Sequence, residues 1–313
     1  MSSPATTPPG GTRSPQPGIL DESTSHHWVQ QYTVAFAADV GALRAALARI
    51  RALEGTDRCA RRVVLAMGSS LLGTLATAEM PAGARPFTEI EGPDAEGARR
   101  TAPATQDDLL VWFASDAPDR NLASARRARA ELAGLAELRE ETPGFRYFEH
   151  LDLTGFEDGT ENPTGEERVS VAVLADGPGA GGSFVLAQRW VHDLAGFEHL
   201  GVAEQERVIG RTREGSVELD PLPEHCHVER VVLEDELGEE RQIFRRSFPY
   251  GDTSELGLFF LAFAADPTVL SDMLHRMFGL VDGHYDRLTG FSRAVSGAYY
   301  VAPASEVLDA ALG

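Results

Sequence analysis

Apolar and polar residues follow two periods along this chain, and together they predict a mixture of strands and helices. The segment QQYTVAF alternates, which puts Tyr32, Val34 and Phe36 on one face of a predicted strand. Asp39 is placed to cap the next helix, whose apolar residues recur at helical spacing as far as Leu53. The same criteria predict strands in RRVVLAMG, DLLVWFASD, SFVLAQRWVHDL, HVERVVLE, RQIFRRSFPYG and LGLFFLAFAAD, and helices over residues 121–140 and in PTVLSDMLHRMFGL.

One plan occurs twice, once in each half of the chain. LLVWFASDAPDRNLASARRARAEL and LGLFFLAFAADPTVLSDMLHRMF both run from a buried strand through small residues, Asp and Pro into an amphipathic helix. Such a match indicates a duplicated unit. Strands mixed with helices in each half predict an α+β fold of two ferredoxin-like units, with helices on one face of an antiparallel sheet. We therefore divide the chain into a disordered tail (1–18), an N-terminal unit (19–149) and a C-terminal unit (150–313).

Composition narrows the possible partners. The net charge of −20 makes nucleic acids and anionic membrane surfaces poor partners, because phosphates would be repelled. No apolar run approaches the roughly 20 residues of a membrane span. Cys59 and Cys226 form no CxxC, which argues against a disulfide framework, a cysteine zinc site and covalently attached haem. The Ser-, Thr-, Pro- and Gly-rich N-terminus has no signal-peptide pattern, so we expect a cytoplasmic protein.

The turn-like segment GFEDGTENP has two readings. In the first, Asp158 and Asn162 only hydrogen-bond their own turn, as Asx residues often do. In the second, Gly155 and Gly159 let the backbone turn tightly and bring Asp158 close to a bulky ligand. The residue orders of a calcium loop and of a phosphate-binding loop are absent from it.

Two further segments contain residues that could bind a ligand. His225 and His227 bracket Cys226, and such a pair could hold zinc or copper, supply one axial ligand to haem iron, or be ordinary histidines. Arg245 and Arg246 stand side by side in a predicted strand, so one should point inward and the other to solvent. An inward arginine needs an anionic partner, which makes one of the two a candidate for anion contact.

Taken together, these segments resemble the dye-decolorizing (DyP-type) haem peroxidases, most closely their B-type bacterial branch. GFEDGTENP resembles the extended GxxDG signature, CHVERV the segment of the proximal histidine, and IFRRSFPYG that of the distal arginine. GLFFLAF, RMFG and VSGAYYVAP follow in the expected order, so the resemblance covers nearly everything from Gly18 onward. It implies two ferredoxin-like halves of the dimeric α+β barrel type, with haem held mainly by the second half.

The resemblance also implies a role for each candidate residue. His227, rather than His225, aligns with the axial ligand of the haem iron. Asp158, Arg245 and Ser247 align with catalytic positions on the distal side, Ser247 less securely because many relatives have Asn there. The implied cofactor-binding set is His227, Arg211 at a haem propionate, Asn162, and Asp286 as acceptor for the proximal imidazole N–H.

The implied function is a peroxidase with non-covalent haem b. It would reduce hydrogen peroxide and oxidise dyes, phenols or other one-electron donors through a ferryl intermediate. We expect no nucleic-acid or membrane partner, and we expect a homo-oligomer. Trp190 is a candidate for relaying electrons from the surface. Two alternatives stay open at this point: a haem carrier or iron-releasing protein with incidental peroxidase activity, and a non-haem ferredoxin-like module in which GFEDGTENP is only a turn.

Overall fold

The computed structural model describes residues 13–93 and 99–313 of the chain. Its strands are β1 His26–Val34, β2 Arg62–Met67, β3 Ile90–Glu91, β4 Thr101–Ala102, β5 Leu109–Ser115, β6 Ala136–Phe145, β7 Ser183–His192, β8 Leu233–Glu234, β9 Glu240–Arg241, β10 Phe244–Arg245, β11 Phe248–Gly251, β12 Leu256–Ala264, β13 Ser292–Ala294 and β14 Ala298–Ala302. Its α-helices are α1 Pro17–Leu20, α2 Val40–Arg51, α3 Ser69–Leu75, α4 Pro118–Glu131, α5 Glu167–Ala172, α6 Leu194–His199, α7 Val202–Ile209, α8 His227–Val231, α9 Pro267–Met277 and α10 Ser305–Leu312. Thr77–Glu79 and Arg287–Gly290 are short 3-10 helices.

The main sheet is antiparallel and closes on itself. Its order is β10-β12-β11-β6-β1-β5-β2-β14-β7-β13, and an additional pairing of β12 with β7 closes the barrel. The first half of the chain contributes the run β6-β1-β5-β2, and the second half contributes β11-β12-β7-β14. When the four strands of each run are numbered 1 to 4 in chain order, the first run reads 4-1-3-2 and the second reads the same order in reverse, 2-3-1-4. This is the ferredoxin-like strand order. The prediction of two tandem ferredoxin-like units in an α+β barrel is therefore confirmed.

The hydrophobic core has two parts, one on each face of the closed sheet. The part within the barrel joins strand residues of both halves, such as Trp112, Phe248 and Tyr300, with Ile19 of α1. The part outside the barrel joins the opposite strand faces with α2, α3, α4, α9 and α10. No helix among the described residues is long and apolar enough to cross a bilayer. The helices on the outer face of the second unit are the ones that build the site described below.

Order begins earlier in the chain than the sequence suggested. Gln16 is fully buried, its side-chain Nε2 donates to the carbonyls of Leu65 (2.8 Å) and Pro303 (3.0 Å), and its Oε1 accepts from the Leu65 N–H. Residues 13–18 therefore belong to the folded unit and not to a disordered tail. The rest of the proposed tail, residues 1–12, lies outside the described residues.

Two secondary-structure predictions were wrong. The helix predicted over 121–140 ends at Glu131, and 136–145 form a strand that pairs with β1. HVERVVLE begins as helix α8 rather than a strand. Five residues are too few for a reliable period, and tertiary contacts decide the conformation, since buried Arg230 donates to the carbonyl of Arg276 and pairs with Asp282.

Candidate active site

A cavity of about 200 Å³ lies on the outer face of the second unit. Its walls come from α8, α9, β7, β12 and the GFEDGTENP turn, and all of its lining residues fall between positions 152 and 292. Four of the predicted site residues line it: Asp158, Arg211, His227 and Arg245. The other three do not line it. Asp286 contacts His227, Asn162 contacts Arg245, and Ser247 contacts Leu261 on β12.

His227 is the first residue of α8, and its ring is held by a buried carboxylate. Its Nδ1 lies 2.6 Å from Oδ2 of Asp286, a residue with no exposed surface. The other oxygen of Asp286 accepts from the backbone N–H of Leu288, which fixes the carboxylate in turn. An ionised carboxylate only accepts hydrogen bonds, so Nδ1 carries the proton and the lone pair of Nε2 is left for a metal. The contact that the sequence analysis expected for Asp286 is present.

Asp158 and Arg245 form a second polar group in the cavity wall. Arg245 Nη1 lies 3.7 Å from Asp158 Oδ1, with 21% of the arginine side chain and 25% of the aspartate side chain exposed. Gly155 and Gly159 flank Asp158 with φ values of +84° and +82°, in the left-handed region that glycine adopts without strain. The backbone N–H of Asp158 donates to the carbonyl of His150 at 2.9 Å, which fixes the turn. The glycines therefore allow the turn that brings Asp158 to Arg245.

Asn162 holds this arrangement together without reaching the cavity. Its Nδ2 donates to the carbonyl of Arg245 at 2.8 Å, and its Oδ1 accepts from the Arg245 N–H at 2.9 Å. Both groups of the amide are thus used within the protein, and Asn162 is absent from the cavity lining. Its assignment to the cofactor-binding set stays a prediction; the contact that the structure shows is the one with the Arg245 backbone.

Ser247 lies on a smaller neighbouring cavity of about 100 Å³, which shares Asp158 and Arg245 with the main cavity. Its hydroxyl oxygen accepts from the backbone N–H of Leu261 at 3.4 Å. Ser247 does not line the main cavity. The assignment of Ser247 to the catalytic set stays a prediction.

The two adjacent arginines point in opposite directions, as the alternation of a strand predicts. Arg246 is buried, donates to the carbonyls of Gly18 (3.0 Å) and Ile19 (2.9 Å), and lies over the ring of Trp112. Burial lowers the pKa of Arg246 to about 10. Arg245 lines the cavity. The question of which arginine could meet an anionic ligand is thus answered in favour of Arg245.

Arg211 lines the cavity but already has acidic partners. Its Nη2 lies 2.5 Å from Glu161 and 3.4 Å from Glu218, and its Nη1 donates to the carbonyl of Ser216 at 3.0 Å. The contact with Glu161 connects Arg211, which lies just after α7, to the GFEDGTENP turn. A carboxylate of a bound ligand would have to share Arg211 with Glu161 and Glu218.

The histidine pair does not form a two-histidine metal site. His225 stacks on His284, with ring centroids 4.2 Å apart, and is absent from the cavity lining. Among residues 13–93 and 99–313, no group of three or more His, Cys, Asp and Glu side chains is arranged to hold a metal ion. The zinc or copper reading of this pair therefore gains no support, and His227 is the member of the pair that lines the cavity.

The cavity has an apolar end and a polar end. The apolar end is formed by α8, α9 and the strands between them, through Val231, Val232, Ile243, Val269, Met273, Leu274 and Met277. The polar end contains Asp152, Thr154, His192, Arg211 and Ser292. Gln188 also lines the cavity; it is fully buried, and its amide has no hydrogen-bond partner among the described residues.

This arrangement suits haem. Haem offers a flat apolar body, carboxylates on one edge, and an iron that takes an imidazole nitrogen as axial ligand. The residues present match each of these: an apolar end, a polar end, and the carboxylate-backed His227. The unpartnered amide of Gln188 also indicates that the wall is built for a ligand, because buried polar groups normally have partners.

Sequence reasoning missed the polar wall on β7. Gln188, Trp190 and His192 all face the cavity, because side chains alternate along a strand. This period is visible in SFVLAQRWVHDL and could have identified the wall. Trp190 was proposed as a surface relay, but it is only 6% exposed. That proposal is corrected: Trp190 is a buried residue of the cavity wall.

Comparisons with known proteins agree with this site. The family model described as Dyp-type peroxidase, N-terminal, matches residues 16–146, and the one described as Dyp-type peroxidase, C-terminal, matches residues 149–307. A dye-decolorizing peroxidase of Mycobacterium tuberculosis is 38% identical over 254 residues, which are 79% of this chain and 74% of the relative.

Solved structures give the same result. A dye-decolorizing protein from V. cholerae superposes with a TM-score of 0.85 at 36% identity, covering 94% of this chain and 99% of that chain. A DypB variant from Rhodococcus jostii RHA1, solved in complex with haem, has a TM-score of 0.85 at 31% identity and covers 96% of this chain and 100% of its own. These similarities support a haem peroxidase and give no support to the haem-carrier alternative.

Proposed function

The chain belongs to the Dyp-type peroxidase family, and from that premise we propose that His227 would hold the iron of a non-covalently bound haem b, with Asp158 and Arg245 as the catalytic pair that would act on peroxide. The observation that supports this most is that one cavity is lined by both His227, backed by Asp286 at 2.6 Å, and the Asp158–Arg245 pair. When bound, haem supplies the iron at which peroxide is reduced and the oxidising equivalents that the donor later removes.

Arg245 stabilises negative charge on the peroxide. Its guanidinium has only N–H donors and no acceptor atom. It therefore serves as a fixed positive charge for the charge that develops as the O–O bond lengthens, and not as a base. Asn162 fixes the backbone from which this side chain extends.

Asp158 moves the proton. One proton of hydrogen peroxide must leave the inner oxygen and reach the outer, leaving oxygen, and a carboxylate within reach can carry it directly or through a water. The carboxylate of Asp158 can accept that proton and return it to the leaving oxygen. The ion pair with Arg245 holds the carboxylate at the cavity wall.

The reducing partner is a small-molecule one-electron donor such as a dye or a phenol. We also propose that Arg211 contacts one carboxylate of the cofactor, sharing its donors with Glu161 and Glu218. The cytoplasmic location, the homo-oligomer and the division of the chain at residues 149 and 150 stay predictions. The open ends of the sheet order, β10 and β13, are the edges on which pairing between copies could occur.

The test is the visible spectrum of purified, haem-supplied protein, wild type against His227→Ala, before and after one equivalent of hydrogen peroxide. We expect a strong porphyrin absorbance band at about 400 nm in the wild type, and a shift or loss of this band in His227→Ala. Peroxide should change the absorbance spectrum of the wild type. Extraction into acidified ketone followed by the pyridine adduct spectrum identifies the pigment as haem b and as non-covalent. Identical spectra for wild type and His227→Ala would contradict the assignment of the axial ligand.

A further inference from the structure

A hydrogen-bonded chain of three side chains lies in the polar end of the cavity. His192 Nε2 lies 3.2 Å from Asp152 Oδ1, and His192 Nδ1 lies 2.8 Å from Ser292 Oγ. All three residues line the cavity. The imidazole side chain is 5% exposed and Ser292 is 6% exposed, so the chain is not an accidental surface contact.

Backbone register fixes this chain. Ser292 on β13 is paired with His192 on β7 in the sheet. At its other end, Asp152 is held by Thr154, whose N–H (2.9 Å) and hydroxyl (2.6 Å) both donate to Oδ2. Asp152 also begins the loop that leads into the GFEDGTENP turn. The geometry of the chain is therefore set before any ligand enters.

The direction of the hydrogen bonds follows from Asp152. Burial by itself raises the pKa of this carboxyl, but the hydrogen bonds from His192 and Thr154 outweigh burial and hold the pKa below its ordinary value. An ionised Asp152 can only accept, so His192 presents a proton on Nε2 toward it. If the ring carries one proton, Nδ1 accepts from the Ser292 hydroxyl; if it carries two, Nδ1 donates to Ser292 Oγ and the hydroxyl is free to donate into the cavity. A carboxylate bound at Ser292 favours the second arrangement, because its negative charge stabilises a second proton on His192.

A carboxylate would gain more from such a donor than a neutral acceptor would. A charge-assisted hydrogen bond from a hydroxyl to a carboxylate is stronger than one between neutral partners. The chain lies at the polar end, together with Arg211, while the apolar residues of α8 and α9 form the opposite end. A porphyrin with its carboxylates on one edge therefore has two separate anchors available at this end of the cavity.

We propose that Ser292, oriented by His192 and Asp152, binds one carboxylate of the porphyrin and so fixes which edge of the ring enters the polar end. This inference rests on the proposed haem function and goes beyond it by naming the residues that recognise the cofactor's edge. Ser292 makes the contact, whereas His192 and Asp152 act through it as positioning residues.

The test compares metal-free protoporphyrin IX with its dimethyl ester, which keeps the ring but has no free carboxylate. Binding of each is titrated by porphyrin absorbance and fluorescence to the wild type, Ser292→Ala and His192→Phe. We expect both variants to bind the free acid about tenfold or more weakly than the wild type while binding of the ester changes by about twofold at most, because only the free acid loses a charge-assisted hydrogen bond. No turnover is involved in this measurement.

Ser296→Ala is the matched control. Ser296 is a buried serine of the same region, 4% exposed, whose hydroxyl accepts from the Arg189 N–H, and it is absent from the cavity lining. The Ser296→Ala variant should either leave binding unchanged or weaken binding of the free acid and of the ester by the same factor. Ser292→Ala and His192→Phe could instead weaken binding of the free acid and of the ester equally, or leave both affinities unchanged. Either result overturns carboxylate recognition by the Asp152–His192–Ser292 chain. If the wild type binds neither porphyrin, the proposed haem function fails first, and this inference fails with it.

Discussion

The side-chain amide of Asn162 bonds to the backbone of Arg245 twice, as a donor to its carbonyl at 2.8 Å and as an acceptor from its N–H at 2.9 Å. This pair joins the GFEDGTENP turn to strand β10 across 83 residues of sequence. Asp158 belongs to the same turn and lies 3.7 Å from the Arg245 guanidinium. The two hydrogen bonds therefore fix the relative position of the carboxylate and the cation that we assign to peroxide cleavage.

Asn162→Ala tests this positioning role. Removing the amide frees the Arg245 backbone, so we expect the rate of reaction with peroxide to fall by about 10- to 100-fold while haem binding changes by about twofold at most. The rate is measured by stopped-flow absorbance of the haem-loaded protein, and the affinity by haem titration. The separation of the two quantities is what distinguishes a positioning residue from a cofactor contact.

Asn121→Ala is the control for that experiment, because Asn121 is the only other asparagine in the chain. It is buried and bonds to Ser115, far from the cavity lining. It should lower thermal stability without changing the rate with peroxide. A fall in haem affinity as large as the fall in rate for Asn162→Ala would support Asn162 as a cofactor-binding residue instead.

Asp158→Asn and Arg245→Leu, measured side by side, separate the two catalytic roles. Loss of the proton carrier should slow the reaction with peroxide by about 10²- to 10⁴-fold. Loss of the fixed positive charge should slow it by about 10²- to 10³-fold. The measurement is again the stopped-flow rate at several peroxide concentrations, with haem content checked for each protein.

Glu157→Gln controls for a simple change of charge in the turn, since Glu157 is the exposed carboxylate next to Asp158. It should react with peroxide at close to the wild-type rate. Unchanged rates in both Asp158→Asn and Arg245→Leu would refute both assignments. A slow reaction in one of them alone would give the main role to that residue.

Asp286→Asn tests the carboxylate behind His227. An amide is a weaker acceptor for the Nδ1 proton, so the imidazole becomes less basic and stabilises ferric iron less. We expect haem affinity to fall by about 10- to 100-fold and the reduction potential of the bound iron to rise. Redox titration followed by absorbance measures the potential directly.

Asp282→Asn is the comparison for that variant. Asp282 lies on the same segment but pairs with Arg230 at 2.7 Å and not with His227. It should leave the reduction potential near that of the wild type. Equal shifts of the potential in Asp286→Asn and Asp282→Asn would mean that the contact with His227 only supports the fold.

The sequence was most informative where function depends on neighbours in the chain. GFEDGTENP could be identified because its glycines, carboxylates and amide occur together. Strand alternation left Arg245 and Arg246 both open, and only the resemblance of IFRRSFPYG to the family's distal arginine segment selected Arg245. The partner of Asn162 could not be predicted, because an amide in a turn satisfies a local Asx reading equally well. Only the fold brings the Arg245 backbone to it.

Contacts between distant strands explain most of what was missed. The Ser292–His192 pair depends on the register of β13 on β7, which no local period encodes. Closure of the barrel depends in the same way on the pairings of β6 with β11 and of β2 with β14, which join the two units that the repeat had predicted separately. Helix α8 is too short for its period to outweigh the contacts of Arg230.

Acid stability should depend in part on Asp21, which joins the segment after α1 to β2. Arg62 Nε donates to its Oδ2 at 2.7 Å. Burial raises the pKa of this carboxyl, but hydrogen bonds from Ser23 and Arg62 outweigh burial and hold the pKa at about 2. In the unfolded chain the pKa is about 4. A depressed folded pKa means that the contribution is complete above about pH 4 and is lost as the pH falls through about 2.

Asp21→Asn should therefore lower the free energy of unfolding at pH 7, and the gap to the wild type should narrow as the pH falls from about 4 toward about 2. Urea unfolding at a series of pH values measures it, provided that the slope with denaturant stays the same. Asp57→Asn removes an exposed carboxylate beside Arg58 and should give a gap that is small at every pH. If the difference in the free energy of unfolding between Asp21→Asn and the wild type stayed constant from pH 7 to the lowest pH, protonation of Asp21 would not be the cause of the lost stability in acid. The variant would then act through packing alone.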